Sequence, residues 1–196
     1  MKATSRRVCV GVLLAVVLIA PSWVAVAPPS DVVVTGMLAM WLHGTAVQIE
    51  KTEGLAQVHR LAFHTRIEGN PNTSNWLHFP ITTPVVGTFV EPRSIPFTGA
   101  MTNYRRYRLD KVFVSFRSGS IDARVTNVHV YDGPRVIAAF DNLNLYGEQH
   151  MQEFVLPGFP EVQEGICISL GVQFGSSGQR WMELQSVGAD FYILEH

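Results

Sequence analysis

The sequence predicts an all-β protein, a single-domain antiparallel β-sandwich, jelly-roll-like, of about eight or nine strands. Three observations carry this. From Met40 onward apolar and polar residues alternate with period 2, and no long stretch keeps a clean 3.6-residue period. Turn clusters rich in Gly, Pro, Asn and Asp separate the alternating runs. Only 16% of the residues are charged and 47% are hydrophobic. The charged share lies below the roughly 25% of an average domain, which excludes a disordered chain and leaves apolar material for one core.

Alternation places strands at about 46–50, 61–68, 75–82, 109–117, 123–131, 136–140, 152–156, 165–174 and 181–194. In the second, His64, Arg66 and Glu68 share one face and Phe63, Thr65 and Ile67 the other. In the third, Asn75, Leu77, Phe79 and Ile81 alternate with Trp76, His78 and Pro80. The strands around Val112–Phe116 and Val125–Tyr131 are apolar and β-branched. Asp132-Gly133-Pro134 joins the latter to 136–140 in the clearest hairpin. In 165–174, Ile166, Ile168, Leu170, Val172 and Phe174 form a core face, while Cys167, Ser169, Gly171 and Gln173 form a small, polar one. Gly175-Ser176-Ser177-Gly178 is expected to close the next clearest hairpin, into 181–194. Residues 91–103, with Pro92, Pro96 and Gly99, read as a long surface loop ending in Tyr104-Arg105-Arg106-Tyr107-Arg108. That cluster reads as a solvated edge protecting the next strand, ahead of a contact for phosphate or an anionic head group.

The domain is expected to occupy residues 37–196, behind a leader and short linker at 1–36. Lys2, Arg6 and Arg7 precede an uncharged span from Val8 to Ser30, the layout of a secretory signal peptide. The small-x-small site Ala25-Val26-Ala27 is followed by Pro28, which resists cleavage, and the span is long enough to act instead as a membrane anchor. Either fate places the domain outside the cytoplasm, secreted or membrane-tethered. A true start at Met37 or Met40 would leave it in the cytoplasm. Without Lys2, Arg6 and Arg7 the 12 remaining basic and 16 acidic side chains give a net charge of −4, which gives no reason to seek nucleic acid. Cys9 lies in the leader, so Cys167 has no disulfide partner in the domain. Asn72-Thr73-Ser74 is a glycosylation sequon in a turn, of consequence only in a eukaryotic secretory pathway.

No chemistry-bearing motif stands out. The seven histidines are scattered singly, without the His-x-His or His-Glu-x-x-His spacing of a metal site. There is no nucleophile elbow and no phosphate loop, and no spacing pairs two of the aspartates for glycoside hydrolysis. No catalytic residue, metal ligand or cofactor is assigned. The best local candidate for a ligand is a polar sheet face bearing His64, Arg66, Trp76 and His78, conditional on their strands being neighbours. An aromatic plate beside hydrogen-bonding groups suits a sugar or small polar ligand.

Four blocks carry a resemblance: Met40-Trp41-Leu42-His43-Gly44-Thr45-Ala46-Val47-Gln48, Thr73-Ser74-Asn75-Trp76-Leu77-His78-Phe79-Pro80, Leu109-Asp110-Lys111-Val112-Phe113-Val114 and Val128-His129-Val130-Tyr131-Asp132-Gly133. Together they resemble a family of β-rich domains of unknown function found in bacteria and fungi, over about residues 40–191. The resemblance implies no activity, but it singles out Trp41, His43, Asn75, Trp76 and His78 as signature positions. Two functional readings follow. The favoured one is a non-enzymatic binding module for a carbohydrate or protein partner. The alternative is a jelly-roll hydrolase or metal-dependent enzyme using His43, His64, His78 or His129.

Overall fold

The computed structural model describes residues 33–84, 87–90 and 102–195, which form two antiparallel sheets packed about one core. The described strands are β1 (Val33–His43), β2 (Gln48–Ile49), β3 (Leu55–Leu61), β4 (His64–Gly69), β5 (Thr73–Ile81) and β6 (Gly87–Val90), followed by β7 (Thr102–Ser118), β8 (Ala123–Asp132), β9 (Arg135–Phe140), β10 (Glu148–Val155), β11 (Ile166–Phe174) and β12 (Trp181–Glu195). One sheet runs β10-β7-β12-β4-β3, with β1 also paired to β12 and β6 to β7; the other runs β2-β5-β11-β8-β9. Among the described residues no helix is long and apolar enough to cross a membrane. The leader expected at the N-terminus lies outside the described residues, apart from the start of β1 at Val33.

The core follows the alternation. Ile168, Leu170 and Val172 of β11, Leu77 and Phe79 of β5, and Val125, Val128 and Val130 of β8 bury one face of the five-stranded sheet. Val112, Val114 and Phe116 of β7 and Met182, Leu184, Val187 and Phe191 of β12 bury the facing side of the seven-stranded sheet. Asp132-Gly133-Pro134 does turn β8 into β9, with Asp132 paired to Arg135 and Gly133 in the left-handed region at φ 55°. The buried Asp132 carboxylate accepts backbone N–H bonds from Gln163 (3.0 Å), Glu164 (2.8 Å) and Gly165 (2.9 Å), so it also fixes the approach to β11.

Three local expectations are corrected. The Gly175–Gly178 turn does not close a hairpin: β11 and β12 lie in different sheets, and the turn is an arch between them. Its form is set by the Asp122 carboxylate, which accepts the Ser177 and Gly178 backbone N–H groups. Tyr104–Arg108 is not a loop end or an edge but part of β7, paired on one side with β12 and, through residues 102–105, with β6 on the other. The length of β12 extends the ladder that far. Residues 91–101 of the expected loop lie outside the described residues. Finally, β1, β3 and β6 have no counterpart in the expected strands. β3 escapes a test of alternation because six of its seven residues are exposed; among the described residues it is the outermost strand and pairs only with β4.

Candidate functional site

β11 is the central strand of its sheet, and its small outward face determines what lies there. Across that face, Ser169 stands opposite His78 of β5 on one side and His129 of β8 on the other; Gly171 stands opposite Trp76 and Asn127 in the same way. A glycine here leaves a gap in the carpet of side chains. A Cβ on Gly171 would come within 3.0 Å of Asn127 and 3.2 Å of the outer edge of the Trp76 indole. Trp76 therefore reaches over β11 toward β8, where its ring lies 4.9 Å from that of His129, and His129 lies 6.4 Å from Tyr131. The half-buried indole forms a plate near the middle of the sheet.

Polar groups brace the plate on both sides. His129 Nε2 donates to Asp141 Oδ1 at 2.8 Å, and the Asn127 amide donates to the same oxygen at 2.5 Å. These bonds, that from His129 first, hold the Asp141 carboxyl below the usual carboxylate range. His78 Nδ1 lies 2.9 Å from Ser169 Oγ, and its Nε2 lies 3.6 Å from Glu50 Oε2. Cys167 is half-buried on the same face, with its sulfur 3.8 Å from Ser169 Oγ. Beyond Asn127 opens a cleft of about 460 Å³ between the sheet face and the loop after β9. Arg124, Thr126, Asn127, Gln173, Asn142 and Asn144 line it around Leu143. The loop is held against β8 by Leu143 N–H bonding to the Thr126 carbonyl and by the Val125–Leu145 bridge. Arg124 donates from Nε and Nη2 to Gln173 Oε1, at 3.2 and 2.6 Å.

The sequence-derived candidates divide between this face and others. Trp76 and His78 share it. His64 and Arg66 do not join them, because β4 and β5 enter opposite sheets across the β4–β5 turn. His64 and Arg66 instead gather on the outer side of the seven-stranded sheet about Glu183, which is only 5% exposed. There Arg66 Nη1 lies 3.3 Å and His64 Nε2 3.7 Å from Glu183 Oε1, and Arg117 donates twice to Oε2. The Arg66 guanidinium also covers the Trp181 ring at 4.3 Å.

The other signature positions make local contacts within the fold. Trp41 stacks on Phe113 at 5.5 Å on the outer side of the seven-stranded sheet, over Gly188, where a Cβ would fall 2.7 Å from the indole. His43 caps a 3-10 turn, its Nδ1 accepting the Thr45 N–H. Gly44 follows because a Cβ there would collide with the Leu184 carbonyl. Asn75 is 5% exposed, donates to the Lys51 carbonyl at 2.5 Å and accepts the Trp76 N–H at 2.8 Å, anchoring the base of the plate. Asn72 is exposed in the left-handed turn before β5, at φ 57°. Among the described residues no group of three or more His, Cys, Asp and Glu side chains is placed to hold a metal ion.

Several residues of the face carry no motif. Arg124, Asn127, Asp141 and the two loop asparagines are brought to this face by strand pairing and by the loop after β9. The one available signal was the small, polar side of β11.

Among solved structures the chain is similar to a low affinity xylan binding module, CBM86, from Roseburia intestinalis, at 11% identity and TM-score 0.39, covering 79% of this chain and 96% of that one. It is similar to CBM27-1 of Caldicellulosiruptor saccharolyticus, solved in complex with mannohexaose, at 12% identity and TM-score 0.36, covering 81% and 96%. It is also similar to the Stig cyclase Fisc of Fischerella sp. TAU, at 11% identity and TM-score 0.32, covering 88% and 92%. Likenesses this distant assign neither ligand nor reaction. No curated protein matches the sequence. The model of the family of unknown function DUF6623 matches residues 36–193, and the chain belongs to that family.

Proposed function

We propose that this protein is a non-enzymatic binding module that takes a carbohydrate chain on the outer face of its five-stranded sheet. The observation that carries the reading is the Trp76 plate over Gly171, flanked by the fixed polar groups of His129 and Asn127, the latter also lining a polar cleft. A sugar ring presents an apolar C–H face to an indole and hydroxyls to the surrounding amides, so plate and rim match its two kinds of surface. Bracing of His129 and Asn127 by Asp141 reduces the ordering cost of binding.

The test is isothermal titration of the protein against soluble neutral and acidic polysaccharides, with Trp76→Ala alongside. Loss of the stacking surface should weaken binding by about tenfold or more, equivalent to about 1.4 kcal/mol. Binding that Trp76→Ala leaves intact, or no saccharide bound at all, overturns the proposal. Export by the leader belongs to the same reading, since extended glycans are met outside the cytoplasm; detection of the protein only in the cytosolic fraction of its host would refute it.

Hydrolysis is a second reading with one observation behind it, the Ser169–His78–Glu50 arrangement. It ranks lower because Ser169 is only 2% exposed, which leaves its hydroxyl little room to attack a substrate. Release of new reducing ends that disappears in Ser169→Ala would reverse the ranking.

A further inference from the structure

We infer that the carbohydrate taken by this face is a uronate-containing chain, with a sugar carboxylate seated against Arg124 at the cleft end of the plate. This rests on the carbohydrate reading above and deepens it.

Arg124 is the one charged residue lining the cleft; the others are asparagines, a threonine, a glutamine and a leucine. Among the described residues no carboxylate lies within ion-pair distance of it, whereas Arg66 and Arg117 share Glu183, and Arg135 holds Asp132. Both of its hydrogen bonds go to one neutral acceptor, Gln173 Oε1. A guanidinium has five N–H groups, so this bond fixes the plane of the fork and leaves donors for a planar, bidentate acceptor. The neighbouring acids do not compete for it. Asp122 is turned to the Ser177 and Gly178 amides, and Asp141 is held by His129 and Asn127.

Spacing fits a single saccharide unit. Trp76 stands opposite Gly171, and Arg124 is paired to Gln173, two residues further along β11. Two residues of strand span roughly 7 Å, so a ring lying on the plate brings an exocyclic carboxylate toward the guanidinium. General polyanion attraction cannot account for such a preference, because residues 37–196 carry 12 basic and 15 acidic side chains, a net charge of −3. Selectivity for an acidic chain would have to come from this one cation.

The test is titration of the full chain with oligogalacturonate, oligomannuronate and the methyl ester of the former, a neutral analogue that adds one methyl group per carboxyl. The expected result is at least tenfold tighter binding of one uronate oligomer than of the ester, with the difference abolished in Arg124→Gln while ester binding is kept. Trp76→Ala should weaken both. Equal binding of acid and ester, a preference unchanged in Arg124→Gln, or no binding of any of the three overturns the inference. Neutral polysaccharides bound through Trp76 in those cases would leave the carbohydrate reading standing; their failure to bind would remove it as well.

Discussion

Trp76 and Gly171 form one unit: the indole of one strand lies over the backbone of the next because the residue beneath it has no side chain. The first prediction concerns that unit. Gly171→Val places methyl groups where a bare Cβ already meets Asn127 at 3.0 Å and the indole at 3.2 Å. The plate should lift, lowering saccharide affinity about tenfold, while strand propensity keeps the fold intact. Calorimetric titration together with the thermal midpoint separates the two effects. Undiminished affinity would show that the plate does not need its glycine.

The same device occurs on the other outer face, where Trp41 lies over Gly188 against Phe113. Trp41→Ala should leave saccharide binding unchanged and cost about 0.5–1.5 kcal/mol beyond its buried area through loss of the stack. Urea unfolding and titration of one preparation check both halves. A fall in affinity would place the site on the wrong sheet.

Asp132 ties stability to pH. Burial pushes its pKa up, but the N–H groups of Gly165, Glu164 and Gln163 and the Arg135 guanidinium outweigh this and hold it below the ordinary carboxylate value. A depressed folded pKa contributes stability that is present above the unfolded value and lost as pH falls through the folded one. Asp132→Asn should therefore cost about 2 kcal/mol or more at neutral pH, and the gap to the parent should close below about pH 4. A gap that stays constant down to pH 2 would refute the assignment.

Gly69 marks a close contact between the sheets. A Cβ there would lie 2.0 Å from the ring of Phe174, which is fully buried. Gly69→Ala should destabilise by about 1–3 kcal/mol, the usual penalty of overpacking. Phe174→Leu in the same chain should cost less than the sum of the two single changes, measurable by a double-mutant cycle in urea. Simple additivity would show that the clash is relieved elsewhere.

The sandwich was legible because Ile166–Phe174 and Asn75–Ile81 alternate cleanly and Gly133-Pro134 turns one strand into the next. Sheet membership was not. The pattern of His64–Glu68 is the same whichever sheet takes it, so it could not reveal that His64 and Arg66 would face away from Trp76. The Gly175–Gly178 turn reads equally well as a hairpin or an arch, and what decides is Asp122, more than fifty residues earlier, binding its amides. In the site, Trp76 and the small side of β11 were visible as types. Arg124, Asn127 and Asp141 were not, because long-range register rather than local spacing brings them together.

Both sheets depend on a central strand that comes late in the chain: β11 joins β5 to β8, and β12 joins β7 to β4 and β1. A ribosome making this protein therefore completes the ten preceding strands among the described residues before either joining strand exists. Until residues 166–195 emerge, β5 and β8 have no ladder between them, and the apolar stretch Val112–Phe116 lacks its β12 cover. Assembly is consequently dominated by contacts that close only near the end of synthesis, the pattern that slows folding and lengthens exposure to aggregation. Nascent chains stalled before residue 166 should be caught by chaperones rather than found folded.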